Sequence, residues 1–482
     1  MSSAVSFVLD GKIVDLRFDH QSTLRPTTTV LNYLRALPTH KGVKEGCAEG
    51  DCGACTVVLG ELGQDRKIHY RSVDSCLVFL PMIDGKQLVT VENLRLSNGQ
   101  LHPVQQAMVE TNGSQCGYCT PGIIMSLFSL YKNTNTPTRS EIDDALTGNL
   151  CRCTGYKPII EAAASACIHN NVDELTNSEA DVVEMLKTLQ GRSLHIQTDQ
   201  QEYFRPTNLS EVLSLKHKFP RATVITGATD AALRVTKKHE IIPTIIDLSA
   251  LEELRSVTED AMALRIGAGV TLSQLMPKLG DGFTALHDML SVFGSQQIRN
   301  LATLGGNIGT ASPIGDTLPV LMAYGAKIVL QNVEGTREVP FDGYITGYRQ
   351  TVRKPDELVV GIVLPKPRPR AIVKSYKVSK RKDLDISTVS GGFKVELSTT
   401  NGVALITLAY AGMAERTKRA ATCEQFLLGK TWTRETIEQA MPLIDTDFTP
   451  ISDARGSAEF RRVAARNLLL KFWHETARES PT

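Results

Sequence analysis

Eight of the ten cysteines of this chain lie within its first 153 residues, in two groups. Cys47, Cys52 and Cys55 follow the spacing C-x4-C-x2-C, and Cys76 lies further along. This is the plant-type [2Fe–2S] pattern, in which four thiolates hold two irons. An anionic centre of that kind needs main-chain N–H groups turned toward its sulfurs, so the loop must fold tightly. Gly46, Gly50 and Gly53 are expected to supply backbone conformations closed to residues with a Cβ. Structural zinc also takes four thiolates, but zinc folds usually pair CxxC knuckles, which this loop does not.

The second group is Cys116 and Cys119 as CxxC, then Cys151 and Cys153 as CxC within NLCRCTGY. These four thiolates define a further metal site. Helices opening at Thr120-Pro121 and after Gly155 would offset the charge of a negative centre. Spacing alone leaves zinc open here.

No dinucleotide cradle of the Rossmann or P-loop kind is present. Gly267-Ala-Gly269 lacks the third glycine and has Leu272 in its place, and Gly429-Lys430-Thr431 has Glu424 where a Walker loop needs glycine. Two other segments could hold a pyrophosphate. Thr223-Val224-Ile225-Thr226-Gly227-Ala228-Thr229-Asp230 is a strand running into a small-residue turn, and residues 303–312 are rich in glycine and hydroxyls. Residue types alone read either one more readily as an ordinary tight turn.

Several elements must position these groups. Alternation at Val5, Phe7 and Leu9, the Asp10-Gly11 turn signal, and alternation at Val14, Leu16 and Phe18 predict a hairpin. A helix follows over 29–37, then a strand at 56–59. From Pro103 to about 170 the period becomes helical, and four short helices are expected. Thr120 is read as the N-cap of one, and Ser140 with Asp143 as a capping box of the next. The polar stretch 171–197 reads as a linker with one short helix. Strand-like runs then alternate with helical ones to about 367, and 371–482 begins with strands and ends in a helix over 457–475.

The segments GCAEGDCGACTV, QCGYCTPGIIM and GNLCRCTGYKPI, with all eight cysteines in order, resemble the xanthine oxidase/dehydrogenase and CO dehydrogenase superfamily. TGATDAAL and ATLGGNIGTASPIGDTLPVLMA resemble the FAD-binding segments of its flavin domain. The resemblance implies an α+β multidomain fold in four parts. These are a β-grasp ferredoxin-like domain (1–90), a four-helix cluster domain (91–170), an FAD domain of the vanillyl-alcohol-oxidase type (198–370, after the linker) and a C-terminal flavoprotein domain (371–482). Cys47, Cys52, Cys55 and Cys76 would hold one [2Fe–2S] cluster, and Cys116, Cys119, Cys151 and Cys153 a second, nearer the molybdopterin, with Gln115 at that contact. For FAD, residues 223–230 would wrap the pyrophosphate and Phe293 would lie beside the flavin. Thr303, Gly306, Asn307, Thr310 and Ser312 would continue the cradle, Asp316 would bind its polar end, and Val359 and Lys377 would lie near the rings. Val359 stands where relatives often have leucine. Tyr348 matches a position near the nicotinamide site.

The order of parts resembles the two-subunit bacterial xanthine dehydrogenases. That implies a molybdopterin-binding large subunit as partner, since 482 residues leave no room for a molybdenum domain, in a complex of two small and two large chains. The implied reaction takes hypoxanthine to xanthine and xanthine to urate on the partner. Electrons would pass through both clusters to FAD and then to NAD+. No residue of this chain is expected to act as acid or base. Another N-heterocycle or an aldehyde as substrate, or O2 as acceptor, stays open.

Composition fits this reading. The chain is expected to have three or four domains, with 42% hydrophobic and 22% charged residues. A net charge of +1 without a basic run argues against nucleic acid, and no stretch of 18 apolar residues suggests a membrane span. The N-terminus lacks a signal-peptide pattern, so a cytoplasmic location is expected, where clustered cysteines favour metal over disulfides.

Overall fold

A computed structural model gives the structure and describes residues 2–19, 22–96, 98–168 and 173–479. The chain forms two units. The first comprises Met1–Leu215, Arg221–Leu251 and Gly294–Ala302, and the second Lys216–Pro220, Glu252–Phe293 and Thr303–Thr482.

The first unit opens with the expected hairpin, β1 (Ala4–Leu9) and β2 (Lys12–Arg17). Asp10 and Gly11 both have positive φ, 53° and 69°, which matches the turn to the twist of the strands. The N-cap Thr29 accepts a hydrogen bond from the Asn32 N–H at 3.2 Å and starts α1 (Val30–Ala36). With β3 (Thr56–Leu62), β4 (Ile68–Asp74) and β5 (Gln87–Val89) the sheet order is β2-β1-β5-β3-β4. Val5, Phe7 and Leu9 point from one face of β1 onto Val30, Leu31 and Leu34 of α1. This is a ferredoxin-like β-grasp.

Four helices follow: α2 (Pro103–Glu110), α3 (Thr120–Asn133), α4 (Arg139–Leu146) and α5 (Lys157–Ala166). Two expected caps are displaced. Cys119 is the N-cap of α3, because the Thr120 hydroxyl bonds that of Ser114 at 2.7 Å and leaves the helix N–H groups alone. The capping box of α4 is Thr138 with Glu141, and Asp143 instead pairs with Arg139 at 2.9 Å. The expected boundary at 170/171 lies outside the described residues. The stretch beyond it holds more than one short helix: α6 (Glu174–Asn177), α7 (Glu179–Leu189) and the strand β6 (Leu194–Gln197). Val182, Val183, Leu186 and Leu189 of α7 are buried against the helical core, so a composition that looked linker-like hides an apolar stripe.

A small sheet, β6-β7-β9-β8, completes this unit with β7 (Glu202–Arg205), β8 (Thr223–Ile225) and β9 (Thr244–Asp247). Ile225, Ala228, Ile242, Ile245 and Leu301 share one apolar core with Phe7 and Phe79. By their contacts residues 221–251 and 294–302 group with the first unit.

The second unit has a five-stranded sheet, β10-β11-β16-β12-β13, made of β10 (Val257–Glu259), β11 (Ala263–Gly267), β12 (Lys327–Asn332), β13 (Gly335–Pro340) and β16 (Leu358–Pro365). A hairpin, β14 (Ile345–Gly347) and β15 (Gln350–Thr351), stands apart. The last sheet, β17-β18-β19-β20, contains β17 (Ala371–Val378), β18 (Val389–Leu397), β19 (Val403–Ala411) and β20 (Lys418–Arg419). The helix Thr317–Tyr324 packs on β18 so closely that a Cβ on Gly392 would lie 2.2 Å from the Pro319 carbonyl oxygen. The other face carries Phe393 among Tyr376, Tyr410 and Phe472 of the terminal helix Ala458–Glu479. Among the described residues no helix is long and apolar enough to cross a membrane.

One buried charge ties the chain beyond the four helices back onto them. The Nδ1 of His102 accepts from the Val104 N–H, so its proton sits on Nε2, 3.1 Å from Asp173. Lys132 lies 3.2 Å from the same carboxylate. Burial pushes the Asp173 acid up, but His102, Lys132 and Thr176 outweigh it and hold the group well below the usual carboxylate range. A folded-state value depressed in this way contributes stability above the unfolded carboxylate value, near ~3.9, and loses it as pH falls below that. Asp173→Asn should therefore lower the urea midpoint at pH 7 and flatten its fall with acid. The measurement is unfolding followed between pH 7 and 3.

Candidate functional site

The first cysteine group sits on the loop before β3 and on the turn after β4. Lys44 donates to the Ala54 carbonyl at 3.1 Å and closes the loop. Inside it, the N–H groups of Glu49 and Asp51 point at the Cys47 sulfur at 3.4 and 3.3 Å. Gly50 and Gly53 have positive φ, 81° and 66°, as expected, and so does Ala48 at 55°. Gly46 serves differently. Its φ is not positive, but a Cβ there would lie 2.7 Å from the Cys52 sulfur. It provides room where a backbone twist had been expected.

The sulfurs meet in twos. Cys47 bonds the Cys52 thiol, which with the Glu49 and Asp51 N–H groups outweighs burial and lowers Cys47 to about 5, while Cys52 is pushed up. Cys55 is paired with Cys76, and that thiol contact, then burial, holds Cys55 well above the usual thiol value. In the second group Cys116 pairs with Cys153 and Cys119 with Cys151. The Tyr118 N–H, then the Cys153 thiol, lowers Cys116, whereas burial and then Cys151 push Cys119 up to about 12. The Thr154 hydroxyl lies 3.1 Å from the Cys151 sulfur, and the Cys151 N–H donates to the Tyr156 hydroxyl at 2.8 Å. Among the described residues, no three metal-binding side chains gather about one point. Four thiolates in two pairs suit a centre of two irons with two thiolates on each. The residues present fit two-iron clusters.

The two groups are joined by main chain. The Leu150 N–H donates to the Cys52 carbonyl at 3.0 Å. A Cβ on Gly53 would lie 2.4 Å from the Gly148 carbonyl oxygen, and one on Gly122 2.1 Å from that of Gly53. The buried Asn149 fills the junction. Its amide donates to the Gly53 carbonyl at 3.0 Å and the Thr56 hydroxyl at 3.2 Å, and accepts from Ser126 at 2.6 Å and Gln297 at 3.1 Å. Tyr118 also reaches from the second group to the Glu45 carbonyl beside the first. Asn149, Gln297 and Tyr118 were not singled out from sequence. Asn149 and Tyr118 stand inside the cysteine motifs and could have been, but nothing local marks Gln297.

The candidate flavin residues 223–230 lie in the first unit. β8 ends in a turn where a Cβ on Gly227 would fall 1.8 Å from the Leu301 carbonyl oxygen, and Ala228 has φ 56°. Thr223 accepts from Arg234 at 3.1 Å, and Thr229 is partly exposed while Asp230 is exposed.

The remaining candidates lie in the second unit. Residues 303–310 are no loop but a capped helix, Leu304–Thr310, with the Thr303 hydroxyl accepting the Gly306 N–H at 3.0 Å. The Thr310 hydroxyl donates to the Gly306 carbonyl at 2.9 Å. Gly306 and Gly309 are exposed, and a Cβ on Gly309 would meet nothing within 4 Å, which leaves bare main chain open to a ligand. Asn307 accepts from Thr317 at 2.6 Å, and Ser312 is partly buried. Asp316 and Lys377 come together as a buried pair at 2.9 Å. Ser387 donates to Asp316 at 2.6 Å, and Lys377 also reaches the Val292 carbonyl, next to half-buried Phe293, at 3.0 Å. Val359 is half-buried on β16, opposite Leu330. Tyr348 stands 62% exposed between β14 and β15.

Comparison with known proteins gives a consistent pattern. Residues 90–164 match a [2Fe-2S] binding domain, 196–367 the FAD binding domain in molybdopterin dehydrogenase, and 374–476 the CO dehydrogenase flavoprotein C-terminal domain. The chain is similar to the xanthine dehydrogenase of Emericella nidulans, 32% identical over 98% of this chain and 38% of that protein. It is also similar to the xanthine dehydrogenase/oxidase of Gallus gallus, 31% identical over 97% and 40%. It spans about two fifths of the length of these curated relatives. Solved structures of similar fold include a carbon monoxide dehydrogenase from Hydrogenophaga pseudoflava, with TM-score 0.54 and 24% identity over 57% of this chain and 96% of that one. Another is quinoline 2-oxidoreductase from Pseudomonas putida 86, with TM-score 0.54 and 23% identity over 59% and 99%.

The junction yields a test. Asn149→Ala would leave the buried Ser126 hydroxyl without its acceptor, while the Gly53 carbonyl keeps the Thr56 N–H and hydroxyl and the Gln297 amide keeps Ser126 and the Ala145 carbonyl, at a cost of about 1–3 kcal/mol. Asn149→Asp keeps the shape but turns two donors into acceptors facing a carbonyl, and should cost as much. Both variants should lower the urea midpoint of the first unit.

Proposed function

The chain belongs to the xanthine oxidase/dehydrogenase superfamily of molybdenum hydroxylases, and from that premise we propose that it is the iron–sulfur and flavin subunit of a xanthine dehydrogenase. The overall reaction is xanthine, water and NAD+ giving urate, NADH and a proton, with hypoxanthine entering one oxidation earlier. The purine is oxidised on a molybdopterin-binding partner, and this chain carries the electrons to NAD+. The complex is a heterotetramer of two small and two large chains.

In this reading Cys47, Cys52, Cys55 and Cys76 hold one [2Fe–2S] cluster, and Cys116, Cys119, Cys151 and Cys153 a second. FAD is held by residues 223–230, Phe293, Thr303, Gly306, Asn307, Thr310, Ser312, Asp316, Val359 and Lys377. When bound, the clusters supply one-electron transfer and the flavin supplies two-electron storage with hydride transfer. The protein's own work is to hold and to shield. The Glu49 and Asp51 N–H groups stabilise negative charge on Cys47, and the Thr154 hydroxyl does so for Cys151. The exposed main chain at Gly306 and Gly309 admits close approach of a cofactor. The Asp316–Lys377 pair places a buried carboxylate and ammonium within reach of polar groups on such a ligand. Tyr348 offers an exposed ring on which a nicotinamide can stack.

The partner reading rests on exposure. Cys116 and Cys153 are exposed, as is Gln115, and Val109, Tyr118 and Leu150 are exposed apolar residues of the same cysteine loops and the helix before them. A thiolate-held centre in that position needs a cover, and a second subunit supplies it.

The observation that carries the proposal is the placing of eight free cysteines in two groups, joined by the bond from the Leu150 N–H to the Cys52 carbonyl and by the Gly53, Gly122 and Gly148 contacts. The isolated complex should contain iron, acid-labile sulfide, flavin and molybdenum. Cys119→Ser should abolish one of two reduced-cluster EPR signals and stop NAD-linked urate formation while flavin content is kept. Unimpaired turnover in that variant would overturn the relay.

A further inference from the structure

Lys237 follows the short helix Ala231–Thr236, which starts directly after the candidate flavin turn and packs against the Ser75–Leu77 turn that carries Cys76. Its own N–H donates to the Leu233 carbonyl and caps that helix, which fixes the root of the side chain. The ammonium lies 3.1 Å from the Cys47 carbonyl oxygen and 3.3 Å from the Glu49 carboxylate. Lysine and glutamate are both less than half exposed, at 44% and 38%. One helix thus touches the ligand set at both ends, at the turn bearing Cys76 and at the loop bearing Cys47.

We propose that Lys237 and Glu49 form an opposed charge pair that sets the reduction potential of the centre held by Cys47, Cys52, Cys55 and Cys76. The inference rests on the reading that these thiols hold a cluster. Adding an electron to a thiolate-ligated cluster adds a negative charge. A nearby ammonium therefore favours the reduced form and a nearby carboxylate the oxidised one, and net charge around the sulfurs is a recognised lever on such potentials. With both present the two largely cancel. Loss of the lysine exposes the loop to an uncompensated carboxylate, and loss of the carboxylate leaves an uncompensated ammonium. Partial exposure weakens both effects and makes them sensitive to salt. The hydrogen bond to the Cys47 carbonyl gives Lys237 a fixed position that a free surface lysine would lack.

The test is a potentiometric titration of the intact complex, following each reduced cluster by EPR at low and high salt. Lys237→Met should lower the potential of the plant-type cluster by up to about tenfold in reduced-to-oxidised ratio, ~59 mV for one electron. Glu49→Gln should raise it, Lys237→Arg should leave it near wild type, and the second cluster should not move in any variant. High salt should shrink both shifts. Shifts of the same sign in Lys237→Met and Glu49→Gln, or none in either, would overturn the charge pair. A wild-type complex without a plant-type signal would instead overturn the assignment of the cysteines beneath it. Retained flavin and second-cluster signals distinguish a tuned protein from a misfolded one.

Discussion

The first unit depends on one close approach of main chain to main chain. Gly53 lies between two cysteines of the first group, Gly122 stands three residues after Cys119, and Gly148 stands three before Cys151. The three meet where any Cβ would collide with a carbonyl oxygen or a side-chain amide. Side-chain packing tolerates sliding, because rotamers can adjust. Contact between backbones does not, and it places the Leu150 N–H on the Cys52 carbonyl in one register only. The Asn149 amide completes the junction, with donors and acceptors all engaged. A satisfied buried amide adds little net stability, but every shifted arrangement strands several polar groups. The junction therefore selects a geometry more than it strengthens one. For groups that must exchange electrons across a fixed separation, selection is the useful property.

Much of this arrangement was legible because its signals are local. The Asp10-Gly11 turn and the helix expected from residue 29 each rest on signals within a few residues, and each forms where the sequence places it. Where local signals compete, the sequence misleads by small steps. Thr120 and Ser140 are good capping residues, yet Thr120 spends its hydroxyl on Ser114, and Thr138 reaches the helix end ahead of Ser140. The polar stretch before β6 reads as a linker because charged residues dominate it, while four apolar residues at helical spacing bury one face of α7.

What was not legible depends on distance along the chain. Gln297 meets Asn149 and Ser126 only because residues 294–302 cluster with the first unit, although the residues on either side of that stretch belong to the second. No window of sequence contains that information. Arg299 and Asn300, paired with Asp144 and the Ser72 carbonyl, extend the same docking, so a nine-residue stretch is held at three points by polar contacts. The flavin segments misled differently. Glycines and hydroxyls at 303–312 suggest a tight turn, but a threonine cap followed by seven helical residues forms because Thr303 and Thr310 satisfy the helix's own groups first.

Burial also differs among the cysteines. Cys55 and Cys76 are within 2% of full burial, whereas Cys116 and Cys153 face solvent. Cys151 of the second group is buried too, and Cys47 and Cys52 of the first are partly exposed, so the contrast is one between individual sulfurs. Beside the Cys76 turn stands the helix Ala231–Thr236, which begins directly after the candidate flavin turn. What the chain needs is low freedom of movement about the thiols. The two positive-φ glycines, the backbone N–H groups aimed at Cys47 and the glycine junction all supply that. The glycines around the cysteines explain how the two groups are held at one unvarying separation.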